Sequence, residues 1–417
     1  MDLRQVDLAD PDNFTDGRTP WGMFDILRRE APVYWNRDRL HGGGFWAVTR
    51  YTDVYRINRD PELFSSARRG VHLEDLDDEQ LRARRSMIET DGSRHRALRH
   101  LLQADFSPAA LRAHAPTVRA MVRQAFDDLP EHETVDAVTR ISDRIPLRVL
   151  AYLLGIPDEH IPMILSWTSQ MLGPVDAPDG EGLEEGRLDV DRRLLPYGRP
   201  AAYEAIAYGR ALAEQRRRHP GDDLISRLLF RIPADGALLT DVDYDNYFIL
   251  LLTSGHETTR HAITHVLHAM SERPHLLSTL RARPDRIPAA VEEFLRWSSP
   301  VYHFRRTATR DVELHGQRIS AGDRVVIWLA SANRDPAVFP EADEVRFDRP
   351  YRGHVAFGRG SRHVCLGAAL ARLELTIFLQ EAVKRIESVG AAGKARWLRS
   401  NFLHGMTSLP LDIARQN

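Results

Sequence analysis

The sequence predicts a mainly α protein with a minor β portion. Three observations predict it. Helical periodicity runs through most of the 417 residues, with no Gly/Ser linker, internal repeat or low-complexity tract to divide them. Strand-like runs are short and few. One run, Val242–Arg273, is long and apolar all round at its centre, Phe248–Leu252, which requires a buried helix.

The elements follow in order. Met23–Glu30 is a short amphipathic stretch ending at Ala31-Pro32. Val33–Trp35 and Phe45–Val48 read as short strands and Tyr51–Asn58 as a helix. His72–Arg85 is charged and reads as a helix or loop, its acidic residues solvated. Helices are predicted over Arg94–Gln103, Leu111–Leu129, Ser142–Leu154 and Ile161–Leu172. Gly173–Pro200 is the one long turn-rich segment, of the kind from which lids are drawn. Ala201–His219 is a helix, and Gly221-Asp222-Asp223 starts another. After the long run come a helix at Ile287–Trp297 and strands at Phe304–Ala308, Val312–Leu314 and Arg324–Leu329. Gly358–Gly367 is a loop, Ala368–Ile386 a strongly amphipathic helix, and Leu403–Ile413 a short hairpin.

Composition removes several function classes. The net charge is -2, which argues against a nucleic-acid binder and against a polybasic membrane-surface protein. No window approaches the roughly 20 apolar residues of a membrane span, and the polar, acidic N-terminus is unlike a signal peptide. A cytoplasmic location without a membrane anchor is therefore expected. Cys365 is the single cysteine, so an intrachain disulfide and any multi-cysteine metal site are impossible.

Two segments are chemically unusual. In the middle of the buried run stands Thr253-Ser254-Gly255-His256-Glu257-Thr258-Thr259, a poor set for a helix interior. It reads either as a surface turn splitting two helices or as a distortion at a functional site, where Thr side chains re-bond the backbone. The second segment is Phe357-Gly358-Arg359-Gly360-Ser361-Arg362-His363-Val364-Cys365-Leu366-Gly367. Its glycines permit tight turns and close backbone approach to a flat ligand. Cys365 lies at a helix N-terminus, where free N–H groups favour a thiolate. Such a thiolate is a nucleophile or a metal ligand; with no second sulfur available, haem iron fits well.

This cysteine loop resembles that of the cytochrome P450 haem-thiolate monooxygenases. Phe357, Gly358, Gly360, His363, Cys365 and Gly367 match its pattern, with one extra residue before the cysteine and Ser361 where a glycine is usual. The resemblance covers essentially the whole chain, 1–417, and implies one triangular domain. Haem b would lie between the long central helix and the cysteine-loop helix, with Cys365 on the iron. Ser254-Gly255-His256-Glu257-Thr258-Thr259 resembles the oxygen-activation motif: Gly255 would admit oxygen to the helix backbone, Thr258 would hydrogen-bond it, and Glu257 would relay protons. Thr259 is read as bonding the preceding turn. Glu293-x-x-Arg296 is similar to the family's buried structural pair, with Arg349 as its third member. The haem propionates need cationic partners. The resemblance supplies His95 and Arg99 from Asp91–Arg99, Arg306 from Phe304–Ala308, and His363.

The longer loop, Gly44–Arg50, Phe64–Ala67 and the tail Arg399–Phe402 look like the bacterial members that hydroxylate sterol, isoprenoid and branched lipid chains. The resemblance therefore implies a monooxygenase that hydroxylates a hydrophobic sterol-, terpenoid- or polyketide-like natural product with O2. Its electrons would come from a ferredoxin and its reductase. Substrate contacts would fall in Arg69–Ile88, Met171–Tyr197, the helix around Leu251, Pro300–Phe304 and Leu403–Met406. Met87, Ile88, Leu251, Val301 and Met406 are the candidate walls. Arg94, Arg96, Arg362 and Arg372 are candidates for the ferredoxin-docking face. The rival readings are another oxidation of a polar natural-product intermediate and a non-catalytic haem-thiolate sensor.

Overall fold

The computed structural model describes residues 1–130, 133–173 and 191–416. Most of the turn-rich segment, and with it the candidate contacts between 174 and 190, lies outside the described residues. Helices dominate. They are α1 Thr19–Glu30, α2 Tyr51–Arg59, α3 Asp78–Arg84, α4 Gly92–Gln103, α5 Pro108–Arg112, α6 Ala115–Asp127, α7 Arg144–Leu154, α8 Ile161–Leu172, α9 Pro200–Arg218 and α10 Leu224–Phe230. The long α11, Asp241–Glu272, follows, then α12 His275–Ala282, α13 Ile287–Ser298, α14 Leu329–Asn333 and α15 Ala368–Arg385.

The strands are β1 Val33–Arg37, β2 Gly44–Val48, β3 Phe64–Ser65, β4 Thr134–Asp136, β5 His303–Ala308, β6 Val312–Leu314, β7 Gln317–Ile319, β8 Arg324–Trp328, β9 Ile386–Ala391, β10 Arg396–Trp397, β11 Met406–Ser408 and β12 Pro410–Arg415. One sheet has the order β1-β2-β8-β5-β3, with β2 and β8 parallel. Small apolar clusters cover its faces, while one large cluster joins α4, α6, α7, α11, α13 and α15. No helix among the described residues is long and apolar enough to cross a membrane.

Capping explains where α11 starts. Thr240 Oγ1 accepts from Asp243 N at 3.1 Å, and Asp243 Oδ2 accepts from Thr240 N at 3.0 Å, a reciprocal cap. The helix then continues without a break to Glu272, so the polar centre is not a surface turn. Its hydroxyls are absorbed by the preceding turn: Thr253 Oγ1 donates to Ile249 O at 2.8 Å and Ser254 Oγ to Leu250 O at 2.5 Å.

Four local expectations need correction. Leu111–Leu129 is two helices, α5 and α6, each with proline in its first turn. The tail is not a hairpin: β11 pairs with β10, whereas β12 pairs with β4 and β9, so adjacent segments enter different sheets. α15 is not simply amphipathic, because Glu374 and Glu381 are buried along with Leu375, Phe378 and Leu379. The acidic residues near α3 are not merely solvated: Glu74 pairs with Arg84 at 3.1 Å, Asp75 with Arg305 at 2.5 Å and Asp77 with Arg193 at 2.5 Å.

Candidate active site

The cysteine loop is shaped by two left-handed glycines, Gly358 (φ 71°) and Gly360 (φ 90°). A Cβ at Gly360 would also stand 2.9 Å from the Tyr55 ring. Cys365 N donates to Phe357 O at 2.9 Å and closes the loop. Ser361 fits the longer path because its Oγ accepts from His363 N at 2.9 Å. The sulfur of Cys365 is solvent-accessible, yet burial is the largest influence on its thiol and pushes it up, against the backbone N–H groups of Gly367 and Ala368 and the charges of Arg99 and Arg372. Accessibility with strong desolvation describes a group that opens onto the interior of the molecule.

In α11 the central motif is the part that breaks the burial of the helix. Ser254 is exposed and Thr258 half-buried, within a helix otherwise buried from Tyr244 to Thr253 and again from His261 to Leu267. Thr258 Oγ1 reaches Ser254 O at 3.4 Å, so the back-bond expected of Thr259 is found at Thr258. Gly255 faces elsewhere. A Cβ there would stand 2.8 Å from Leu150 Cδ1, so the glycine lets α11 pack against α7. Glu257 is buried and bonded to Arg260 at 2.9 Å, with His256 Nε2 at 3.4 Å and His261 Nε2 at 3.6 Å. Burial works to raise this carboxyl, but the Arg260 charge and the imidazoles outweigh it and hold it well below the usual range.

A polar cluster stands beside the cysteine loop. His95 and His363 have ring centroids 4.0 Å apart. His363 Nε2 lies 3.3 Å from Asp91 Oδ1, and Asp91 also accepts from Ser65 Oγ at 2.5 Å and Ala67 N at 3.0 Å. Asp91 thus ties the start of α4 to β3 and to the cysteine loop, although Gly92-Ser93 replaces a Pro-Pro pair. Arg306 Nη1 donates to Arg305 O at 2.8 Å, and burial lowers its guanidinium to about 10. Arg99 is close enough to feel the Cys365 charge. Burial lowers His95 to about 4, which makes it a neutral N–H donor rather than a cation.

The fit of haem can be tested on these groups. His95 Nε2 and His363 Nδ1 are buried without a hydrogen-bond partner among the described residues, a costly state unless a ligand group completes it. Two imidazoles and two guanidiniums suit a pair of carboxylates, and a lone accessible thiol suits one iron. The residues therefore fit haem. Among the described residues no group of three or more His, Cys, Asp or Glu could hold a metal ion.

Glu293 and Arg296 are buried and bound through two bonds of 2.8 Å, and Arg349 Nε joins Glu293 Oε1 at 3.1 Å. Of the candidate substrate walls, Ile88 lines a cavity with Glu89, Tyr197, Asn246, Ile249 and Leu250. The other four do not line it. Met87 is buried and accepts from Tyr247 Oη at 3.7 Å, and Leu251 is core. Val301 pairs with Leu403. Met406 is fully buried because it takes an inward position in β11. A neighbouring cleft shares His72, Arg84 and Tyr197 and adds His303 and Phe402. Two of the docking candidates are already engaged: Arg94 pairs with Asp235 and Asp243, and Arg372 with Glu292. Arg96 and Arg362 are exposed.

Comparison with known proteins decides the family. The Cytochrome P450 family model matches residues 206–388. Cytochrome P450 126 of Mycobacterium tuberculosis is 36% identical over 425 residues, covering 99% of this chain and 98% of that protein. The chain belongs to the cytochrome P450 family. This P450 is also 35% identical to linalool 8-monooxygenase of Pseudomonas putida, with 98% of each chain covered. Among solved structures, Mycobacterium marinum cytochrome P450 CYP268A2 in complex with pseudoionone superposes with a TM-score of 0.86, at 32% identity and 99% coverage of both chains. As predicted, the fold is mainly helical with a minor sheet portion, in one P450-like domain.

Sequence reasoning missed three groups at this site. The sequence shows Asp91 as part of a motif and carries no sign of its tie to Ser65 and His363. Tyr197, which donates to Thr253 Oγ1 across 3.1 Å, fell in a segment without periodicity. His303, buried with neither ring nitrogen partnered, lies within the expected contact segment Pro300–Phe304 but outside the predicted strand, and nothing in the sequence singles it out.

Proposed function

We propose that this P450 binds haem b between α11 and the start of α15 and acts as a monooxygenase on a hydrophobic small molecule of sterol, terpenoid or polyketide type. The single observation that carries the reading is the cluster of His95, Arg99, Arg306 and His363, with its orphaned imidazole nitrogens, beside the lone accessible thiol. In this reading Cys365 is the thiolate ligand, and those four side chains hold the propionates. The haem, when bound, supplies the oxygen and electron chemistry. The chain positions and protonates. With haem bound, Thr258 would supply its hydroxyl and Glu257 would relay protons. Gly255 acts through packing on Leu150. Electrons come from a ferredoxin and its reductase, which meet the exposed Arg96 and Arg362, and the protein works in the cytoplasm.

The linalool named for one relative and the pseudoionone bound in the structural neighbour support an isoprenoid substrate. A second reading, a natural-product intermediate with a polar group, is favoured by the cavity itself. Ile88, Ile249 and Leu250 line it with apolar groups, while Arg84, Glu89 and Asn246 add polar ones.

The test is reconstitution with haem, NADPH, a ferredoxin, its reductase and O2. The ferrous–CO complex shows the red-shifted Soret band of a thiolate ligand, and Cys365→Ser loses it. Linalool and steroids shift the spectrum and gain a hydroxyl. A wild type without the thiolate band overturns the haem-thiolate reading. Silence toward linalool and steroids, with a tight shift from a glycosylated or amino-acid-derived compound, moves the substrate to the second reading.

A further inference from the structure

Glu292 and Glu293 are neighbours on α13, yet they meet different partners. Glu293 is taken by Arg296 and Arg349. Glu292 is taken by Arg372 of α15: Nε donates to Oε1 at 2.5 Å and Nη2 to Oε2 at 2.9 Å, a bidentate fork between partly buried side chains. The same Oε2 lies 3.3 Å from His354 Nε2. His354 Nδ1 accepts from Ala356 N at 3.2 Å, so in the neutral ring Nε2 carries the hydrogen.

Both partners of Glu292 meet one aromatic ring. The guanidinium carbon of Arg372 stands 4.6 Å from the centroid of Phe357, and the His354 ring is 5.8 Å from the same ring. A guanidinium over an aromatic face is held there by the ring's quadrupole. The backbone of Phe357 in turn closes the cysteine loop, since its carbonyl accepts from Cys365 N at 2.9 Å. Nη1 of Arg372 reaches back to Ala368 O at 3.4 Å, toward the start of α15. The cation is therefore fixed on three sides, by a carboxylate, a ring and a helix carbonyl, next to the loop that carries the thiol.

The charge of Arg372 is felt at Cys365, and that of Cys365 at Arg372. Burial works to raise the Glu292 carboxyl, but the bonds from Arg372 and His354 outweigh it and hold it down at about 2. Glu292 is thus ionised near neutral pH and subtracts from the cation it holds. Charges a few ångströms apart in a partly buried setting escape most of the screening of water and salt. Arg99, the other cation felt at Cys365, belongs to the set facing the propionates, whereas Arg372 has no part in that set.

We propose that Glu292 is a positioning residue for the thiolate: it holds Arg372 over Phe357 and trims the positive charge that reaches Cys365, and so sets the reduction potential of the haem bound there. The proposal rests on the haem-thiolate reading. A cation near the thiolate favours the reduced state, which carries one more negative charge, and the carboxylate offsets that preference.

The test uses the haem-loaded protein. The midpoint potential is read by spectroelectrochemical titration, and the ferrous–CO band of each variant checks that the thiolate is still the ligand. Glu292→Gln keeps an oxygen for Arg372 but removes the negative charge. It should favour reduction at least threefold, a rise of about 28 mV at 59 mV per tenfold. Arg372→Gln removes the cation and should disfavour reduction by at least the same factor. Arg372→Lys keeps the charge without the fork and should fall between Arg372→Gln and the wild type. The opposite signs are the mark of charge, because a loosened loop would move both variants the same way. Shifts of one sign, or shifts below threefold, in variants that keep the thiolate band would overturn the proposal. If Glu292→Gln does not fold, the two Arg372 variants decide, and equal potentials in them overturn it. A wild type without the thiolate band overturns the haem-thiolate reading and this proposal with it. A wild type with the band leaves that reading standing whatever the potentials show.

Discussion

Arg296 grips Glu293 through Nε and Nη2, both at 2.8 Å, and spends its remaining donor, Nη1, on the carbonyls of Asn333 and Ala342. Glu293 in turn accepts from Arg346 N at 2.9 Å and Arg349 Nε at 3.1 Å. A helical pair thereby fastens the chain that leads into the cysteine loop. Removing one partner strands the other in a buried site, at about 3–5 kcal/mol. Glu293→Ala should lower stability by that order and reduce haem incorporation together with it, read by thermal unfolding and by the haem-to-protein ratio. A variant of wild-type stability and haem content would show that the pair fastens nothing.

Gly255→Ala tests the packing of α11 on α7. The new Cβ would meet Leu150, and overpacking of this kind costs about 1–3 kcal/mol. Leu150→Ala in the same chain should relieve it. A double-mutant cycle by chemical denaturation measures the relief, and additivity of the two changes would place the strain elsewhere.

Thr258→Ala removes a hydroxyl in the central motif of α11. Substrate binding should persist while electrons go to hydrogen peroxide, with coupling lower by about tenfold or more. The ratio of product to NADPH consumed reads it. Unchanged coupling would leave Thr258 as a helix-bonding residue and nothing more.

Glu374 is buried with neither oxygen partnered, and burial raises its carboxyl to about 8. The folded protein therefore keeps a proton that the unfolded chain, with a pKa near about 4.3, has released. That stabilisation is fully present below about 4.3 and is lost as pH rises toward about 8, by roughly 5 kcal/mol in all. Glu374→Gln should flatten the slope and make the variant the more stable of the two at pH 8. Parallel denaturation midpoints between pH 5 and 8 would refute the assignment.

The cysteine loop and the centre of α11 were legible because their composition conflicts with ordinary secondary structure. Glycines and a lone thiol stand before a helix, and hydroxyls and a carboxylate sit inside one. Glu293, Arg296 and Arg349 were legible through the resemblance; the spacing of the first two alone reads as a surface ion pair. The rest depends on contacts between distant segments. The sequence does not say that Gly255 faces Leu150, that Asp91 reaches His363, or that Met406 points into the core and not the cavity. Nor does Glu374 announce itself: a glutamate in a helix is usually solvated, and here the neighbours bury it.

The sheet that joins β4, β9 and β12 has a consequence for how the chain is made. Thr134 Oγ1 bonds Asp412 Oδ1 at 2.6 Å across 278 positions. While residues 134–136 emerge from the ribosome, the strand that pairs with them does not yet exist. The large helical cluster must collapse around an unpaired strand and hold it in waiting. Contacts so far apart in sequence are slow to close and leave apolar surface exposed in the interim. Assembly of this sheet is therefore the expected late, chaperone-sensitive step in the protein's biosynthesis.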